Sequence, residues 1–307
     1  MRPLIELPGF DEYCETTALV PKTQNRRSKT LDFAHPIDAA IIKLLDAPYI
    51  KSIFEKYVDI CVDIQEGTDL AAGIKITAAN DPEMYCVIEE CARCLDIPIP
   101  YVVVSKSVSG VNAQTAGTDK FAYIAISSML SMLMTTEEQK FVVGHECGHL
   151  ALGHVVYHTA VRLIGGLGGL LPLVGDIIAS TIKYSLNAWI RRSEISADRA
   201  GLICCRDLET AQKALLKLEA GFMNVDDTDI GEYLENSRQF RSGNMLGKYK
   251  ELFLSHPLIP KRMEALQLFA NSEKYYRAIG EMPRDGAALI GDEELETRTH
   301  EIIKVLL

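Results

Sequence analysis

The sequence predicts an α+β fold, mainly helical, with a small sheet ahead of a helix that carries His145-Glu146-Cys147-Gly148-His149. Three observations predict it. Short β-branched runs at Ile74/Ile76, Tyr101-Val102-Val103-Val104 and Phe121–Ser127 are confined to the first half of the chain. Helical periodicity fills most of the second half. Thr135-Thr136-Glu137-Glu138 opens the helix between them, with Thr135 placed to cap and Glu138 placed to reach back in a capping box. Early strands followed by mostly helix is the α+β pattern.

Taken in order, residues 1–35 read as a leader, 36–280 as one folded domain, and 281–307 as a charged tail or a short packed helix. Helices are expected from Pro36 to the break at Pro48 and onward to about Ile64. A strand follows at Ile74 and Ile76. Asp81-Pro82 then starts a helix whose Met84, Val87, Ile88, Cys91 and Leu95 form an apolar side. Residues 111–127 suggest a hairpin turning at Gly117-Thr118-Asp119. After the His145 helix comes a Gly-rich apolar insert at about 160–182, then a helix with Trp189, Ile190, Ile195, Ala197, Leu202 and Ile203 as candidate buried positions.

At 307 residues the chain is long enough for a substantial core. Its net charge of −10 disfavours nucleic acid as the main partner, because phosphate binding requires a basic face. Met1-Arg2-Pro3-Leu4-Ile5-Glu6 lacks the apolar stretch of a signal peptide. Eight cysteines without such a signal fit a reducing compartment, so a cytoplasmic location is expected. Oligomeric state is not legible.

His145 and His149 are i and i+4, so their rings leave one helix face about 6 Å apart. That spacing suits two imidazoles on one Zn2+, with Glu146 beside them as general base. Gly144 and Gly148, one turn apart, each cost about 1 kcal/mol of helix propensity relative to Ala, which predicts close approach of another backbone or a substrate. The long metzincin spacing fails, because Leu152 and Val155 stand where Gly and His are needed. At 100° per residue, His154 and His158 point well away from the His145/His149 face, as polar-face or outer histidines rather than ligands.

A better third ligand is Glu194, in Arg191-Arg192-Ser193-Glu194-Ile195-Ser196-Ala197-Asp198-Arg199-Ala200-Gly201. Glu194 and Asp198 share a helix face. Two carboxylates that close repel unless a cation or donor lies between them. Zinc on Glu194 and a histidine N–H on Asp198 meet both needs. The competing interpretation is surface ion pairing with Arg191, Arg192 or Arg199.

These two motifs, followed by Ser255-His256-Pro257 and Arg262, resemble the HtpX and CAAX-prenyl-protease family of gluzincin metallopeptidases, family M48. Asn112-Ala113 before the run at 121–127 also fits. The resemblance covers roughly residues 70 to 270. It implies a zincin-like fold, His145, His149 and Glu194 as ligands of one zinc ion, Glu146 as base, Asp198 as the carboxylate behind a ligand, and Asn112 and Ala113 as substrate-binding positions.

Unlike many such proteins, this chain has no convincing membrane span. Pro172, Asp176 and the glycines at 165, 166, 168 and 169 argue against one in Leu163–Ile182. The insert reads either as an apolar flap with peripheral membrane or partner contact, or as a buried Gly-rich helical pair. Cys91 and Cys94 form a C-x-x-C without a second pair at zinc-ribbon spacing, and core packing is favoured over a metal or redox site. Cys147 is expected to pack. His256 has three readings: donor to an oxyanion, occupant of the open zinc position in a latent enzyme, or a loop residue capping the helix after Pro257. Arg262 is expected to form a structural ion pair.

The expected activity is zinc-dependent endopeptidase hydrolysis of an extended or unfolded polypeptide added to an edge strand at 121–127, with a role in protein quality control. The rival from another class is a catalytically silent zinc-binding, chaperone-like or interaction protein; a non-peptidase hydrolase is a weaker one.

Overall fold

Strands β1 (Ile74–Lys75), β2 (Tyr101–Val104), β3 (Ala113–Gly117) and β4 (Ala122–Ile126) form one mixed sheet in the order β1-β2-β4-β3. The computed structural model describes residues 32–36, 70–117, 121–155, 157–158, 176–221, 225–243, 256–283 and 288–304, with only the backbone for 176–188, 242 and 243. Strand β4 runs parallel to β2, with Val102 opposite Ile124, and antiparallel to β3, with Thr115 opposite Ile124. It therefore lies inside the sheet. The expected edge strand at 121–127 is corrected: among the described residues the free edge beside the His145 helix belongs to β3. The hairpin itself was legible, but which of its arms meets β2 depends on pairing with a strand twenty residues earlier, which periodicity does not encode.

Both sheet faces are covered. Val102, Ala113, Ile124 and Ile126 face the main core, while Val103, Tyr123 and Ala125 pack with Val108 and Phe121 on the other side. Period-two alternation thus yields a strand buried on both faces, which explains the continuous apolar run of β4.

The helices are α1 (Pro82–Cys94), α2 (Ser128–Leu133), α3 (Thr136–Ala151), α4 (Asp176–Cys205), α5 (Leu208–Ala220), α6 (Ile230–Gly243), α7 (Ile259–Ala270), α8 (Glu273–Ile279) and α9 (Asp292–Ile303). Asp81 caps α1 by accepting from the Met84 N–H, with Pro82 in its first turn. Met84, Val87, Ile88, Cys91 and Leu95 are all buried, as their spacing predicts. The capping box of α3 forms: Thr135 N–H donates to Glu138 Oε2 at 2.7 Å, and Glu138 N–H to Thr135 Oγ1 at 3.3 Å. Lys217 of α5 donates to the same Glu138 carboxylate at 2.9 Å, tying the start of α3 to its neighbour.

Helices α3 and α4 cross at glycine. A Cβ on Gly144 would lie 2.7 Å from Cys204 Cβ, one on Gly148 would lie 2.7 Å from Ala200 Cβ, and one on Gly201 would lie 2.6 Å from the Phe141 carbonyl oxygen. The close approach that Gly144 and Gly148 predict is thus made by α4. Trp189, Ile190, Ile195, Ala197, Leu202 and Ile203 of α4 are all buried. Residues 281–307 contain α9, whose Leu295, Thr299 and Ile303 are buried and whose Glu296 pairs with Arg199 of α4. Phe33 and His35, at the end of the expected leader, are buried; the Phe33 carbonyl accepts from Arg199 and the His35 N–H donates to Ser196 Oγ. The helices expected at 36–64 and the insert up to residue 175 lie outside the described residues. No described helix is long and apolar enough to cross a membrane.

Candidate metal centre

Helix α3 presents His145 and His149 on the face where α4 presents Glu194. His145 Nε2 lies 3.2 Å from His149 Nε2 and 3.5 Å from Glu194 Oε2, and His149 Nε2 lies 3.4 Å from Glu194 Oε1. Ligands held 2.0–2.1 Å from one ion at tetrahedral angles are about 3.4 Å apart. All three residues are buried, and both Glu194 oxygens lack a well-directed hydrogen bond. A buried carboxylate left in that state is costly, and a shared cation removes the cost. Two imidazoles and a carboxylate are the donor set of a catalytic zinc site, so the residues present fit that metal.

The surrounding contacts fix these groups. Asp198 Oδ1 lies 2.9 Å from His145 Nδ1, which leaves Nε2 for a metal. Arg262, from α7, donates to Asp198 through Nε at 2.8 Å and through Nη2 at 2.5 Å. Glu194 and Asp198 are therefore not surface partners of Arg191, Arg192 or Arg199, and the structural ion pair expected of Arg262 is present. Burial opposes ionisation of Asp198, yet the Arg262 charge and hydrogen bonds hold its carboxyl below the usual range. Burial opposes ionisation of Glu194 too, but His256, His149 and His145 together hold it well below that range. Burial also works against the His145 cation, and Asp198 and Glu194 outweigh it, raising the pKa; for His149 burial prevails and lowers it.

His154 departs from the helical extrapolation. Helix α3 ends at Ala151, and Gly153 takes φ +71°, a left-handed turn that suits a residue without Cβ. The chain doubles back, and His154 Nδ1 comes 2.9 Å from His149 Nδ1. His158 Nε2 reaches Ser193 Oγ at 2.6 Å, and the His154 and His158 rings pack edge-on against Trp189. His149, His154 and His158 form a second cluster with metal-ligating potential, sharing His149 with the first. The 100° extrapolation fails past the end of α3, so the direction expected of these residues is corrected, while His154 does stand behind His149 as an outer histidine.

Glu146 lies one position after His145 and accepts from Thr115 Oγ1 at 2.5 Å. Sequence reasoning missed Thr115; its only signal was an alternating position in the predicted hairpin. Asn112 and Ala113 stand at the start of the same edge strand, Asn112 exposed and Ala113 buried, joined locally by the Ala113 N–H and Asn112 Oδ1. His256 Nδ1 lies 2.8 Å from Glu194 Oε2, with its side chain 58% exposed. It does not cap the next helix, whose N-cap is Leu258 without a side-chain hydrogen bond, so the capping interpretation of His256 is corrected. Cys147 packs fully buried.

Three residues that could hold a metal ion thus lie beside a carboxylate, next to a sheet edge that is free among the described residues. Comparison with known proteins identifies the class: the model of peptidase family M48 matches residues 78–270, and the chain belongs to that family, whose members are metallopeptidases. It is 27% identical over 253 residues to the plastoglobule-localized metallopeptidase 48, chloroplastic, of Arabidopsis thaliana, covering 80% of this chain and 74% of that one. It is 24% identical over 233 residues to a protease HtpX homolog of Streptococcus pyogenes, covering 63% and 75%. No solved structure matches significantly.

Proposed function

We propose that this chain is a zinc-dependent metalloendopeptidase of gluzincin fold, with His145, His149 and Glu194 holding one Zn2+, Asp198 orienting His145, and Glu146 as general base. What carries this is the convergence of three potential ligand residues next to Glu146, the two Nε2 atoms 3.2 Å apart and each facing one Glu194 oxygen, at 3.5 and 3.4 Å. A zinc ion held by His145, His149 and Glu194 would supply Lewis acidity at this point of the site.

The protein's own groups do the rest. Glu146 takes the proton of the attacking water and returns it to the leaving amine. The Thr115 hydroxyl holds one Glu146 oxygen, leaving the other for that transfer. Arg262 holds Asp198, and Asp198 accepts from His145 Nδ1–H, which fixes the tautomer. His256, beside Glu194 and open to solvent, donates to the developing oxyanion. An extended or unfolded polypeptide pairs along β3, entering at Asn112 and Ala113, with main-chain hydrogen bonds that ignore sequence; this suits protein quality control.

The decisive experiment compares the zinc-loaded protein with Glu146→Gln on an unfolded protein substrate, with bound zinc measured in both. Wild type is expected to cleave within the chain while the variant keeps its zinc and does not. Equal inactivity of both, with zinc bound, would favour the silent chaperone-like alternative. Peripheral membrane contact through the apolar insert at 160–182 is proposed beside its rival, a buried Gly-rich helical pair, and full recovery of the protein away from liposomes would sink the membrane version. A cytoplasmic location is proposed on the eight cysteines, which a reducing compartment would keep as free thiols; the chloroplastic relative makes an organelle the competing outcome for a tagged chain.

A further inference from the structure

His145 and His149 differ in what stands behind them. His145 Nδ1 meets the Asp198 carboxylate at 2.9 Å, whereas His149 Nδ1 meets an imidazole nitrogen, His154 Nδ1, also at 2.9 Å. The two Nε2 atoms lie 3.2 Å apart and face Glu194, so Nδ1 is the nitrogen that each ring turns to the interior. Gly153 at φ +71° turns the chain after α3, and the His154 N–H donates to the His149 carbonyl at 3.0 Å, which brings the two rings together. One turn further on, the His158 N–H donates to the His154 carbonyl at 3.0 Å. His158 Nε2 lies 2.6 Å from Ser193 Oγ, whose own proton goes to the Ile190 carbonyl at 2.8 Å, so His158 Nε2 is the donor of that pair. His154 is fully buried, and the Trp189 ring stands edge-on to it and to His158, with centroids 5.6 and 5.3 Å away. The reversal beyond α3 thus touches a candidate ligand of α3 and the residue just before the candidate ligand of α4.

We propose that His154 is the positioning residue of His149: its Nδ1 accepts the His149 Nδ1–H and so commits His149 Nε2 to the metal. This rests on the reading of His149 as a metal ligand. A ligating histidine hands its other N–H to an acceptor that fixes tautomer and ring orientation, ordinarily a carboxylate, a carbonyl or water. Here a neutral imidazole is that acceptor, with its own proton on Nε2. The competing interpretation of His149, His154 and His158 is a second ion of their own. Ligands sharing one ion at tetrahedral angles are about 3.4 Å apart, whereas the 2.9 Å between the two Nδ1 atoms lies within hydrogen-bond range. An ion on His149 Nδ1, with Nε2 on another, would also require that ring to lose both of its protons.

A neutral partner suits the charge already gathered here. Glu146, Glu194 and Asp198 are all buried, and Arg262 stands against the last two, 3.7 Å from Glu194 Oε2 and 2.8 Å from Asp198 Oδ2. A fourth carboxylate, in the fully buried position behind His149, would be costly without a further cation. The imidazole fixes the ring and adds no charge.

The test measures zinc binding by the full chain in competition with a chromophoric chelator. One equivalent is expected in wild type. His154→Phe keeps a ring against Trp189 but has no acceptor, and its zinc affinity should fall about 10- to 100-fold. His154→Asn can bring Oδ1 near the position of the lost Nδ1 and should recover most of that affinity. A packing role would give the opposite order, since asparagine fills the space less well than phenylalanine. Proton–nitrogen NMR correlations of the zinc-loaded wild type, which need no variant, should show His149 protonated at Nδ1. Unchanged affinity in His154→Phe, an asparagine variant no better than the phenylalanine one, or His149 protonated at Nε2 would each overturn the proposal and leave His149 a ligand. A second equivalent of zinc that His154→Phe loses would overturn it too, assigning the three histidines to their own ion. His149→Ala should lose zinc, and wild-type affinity in that variant would overturn the ligand reading of His149 and the role of His154 with it.

Discussion

Asp198 Oδ1 sits 2.9 Å from His145 Nδ1, on the side of the ring opposite the Nε2 that faces His149. A carboxylate there fixes the ring and raises its basicity as a ligand. Asp198→Asn keeps the shape but loses the charge. Zinc affinity is expected to fall about 10- to 100-fold, measured by competition with a chromophoric chelator. Unchanged affinity would show that Asp198 serves Arg262 alone.

Thr115 joins the edge strand to the base. Its Oγ1–Glu146 Oε2 hydrogen bond of 2.5 Å is to an acceptor that must hold a defined direction. Hydrogen bonds to charged groups contribute about 1.5–3 kcal/mol. Thr115→Val should therefore lower kcat by about 10- to 100-fold with KM and zinc content little changed. A loss confined to KM would assign Thr115 to substrate binding instead.

His256 contacts Glu194 from an exposed position. Removing one oxyanion donor typically costs about 10²–10³ in kcat. His256→Ala should show a loss of that order while retaining zinc. A gain in turnover would instead identify His256 as an occupant of the open position that keeps the enzyme latent.

Much of this site was legible because its determinants are local. The Thr135/Glu138 capping box, the Asp81 cap and the buried positions of α4 each depend on residues within a few turns of one another. Even the distant Glu194/Asp198 pair announced itself, since two carboxylates one turn apart need a cation. Contacts set by chain reversal or strand pairing were not legible. His154 returns to His149 because α3 ends at Ala151 and Gly153 turns the chain, and among the described residues the free edge falls on β3 because β4 pairs with β2.

Gly144 sets two effects against each other. Alanine there would gain about 1 kcal/mol of helix propensity. Its Cβ would also lie 2.7 Å from Cys204 Cβ and 3.1 Å from Gly201 Cα, atoms that cannot swing away. Overpacking of this kind costs about 1–3 kcal/mol, so the clash wins. Gly144→Ala is expected to lower the Tm, and an unchanged or raised Tm would show that α3 and α4 can separate without loss.

Glu296 ties α9 to α4. It receives Arg199 through both oxygens at 2.9 and 3.1 Å, and Lys274 at 2.7 Å. Burial opposes its ionisation, but Arg199 and Lys274 outweigh it and lower the pKa from 4.5. A carboxylate whose folded pKa is depressed contributes stability that is fully present above its unfolded pKa and is lost as pH falls through the folded one. Glu296→Gln leaves Arg199 buried without its counter-charge, a loss of about 3 kcal/mol by analogy with broken buried pairs. The Tm difference from wild type should be full at neutral pH and shrink as pH falls below about 4.5. A difference that stays constant down through that window would mean that the glutamine perturbs packing rather than the ion pair.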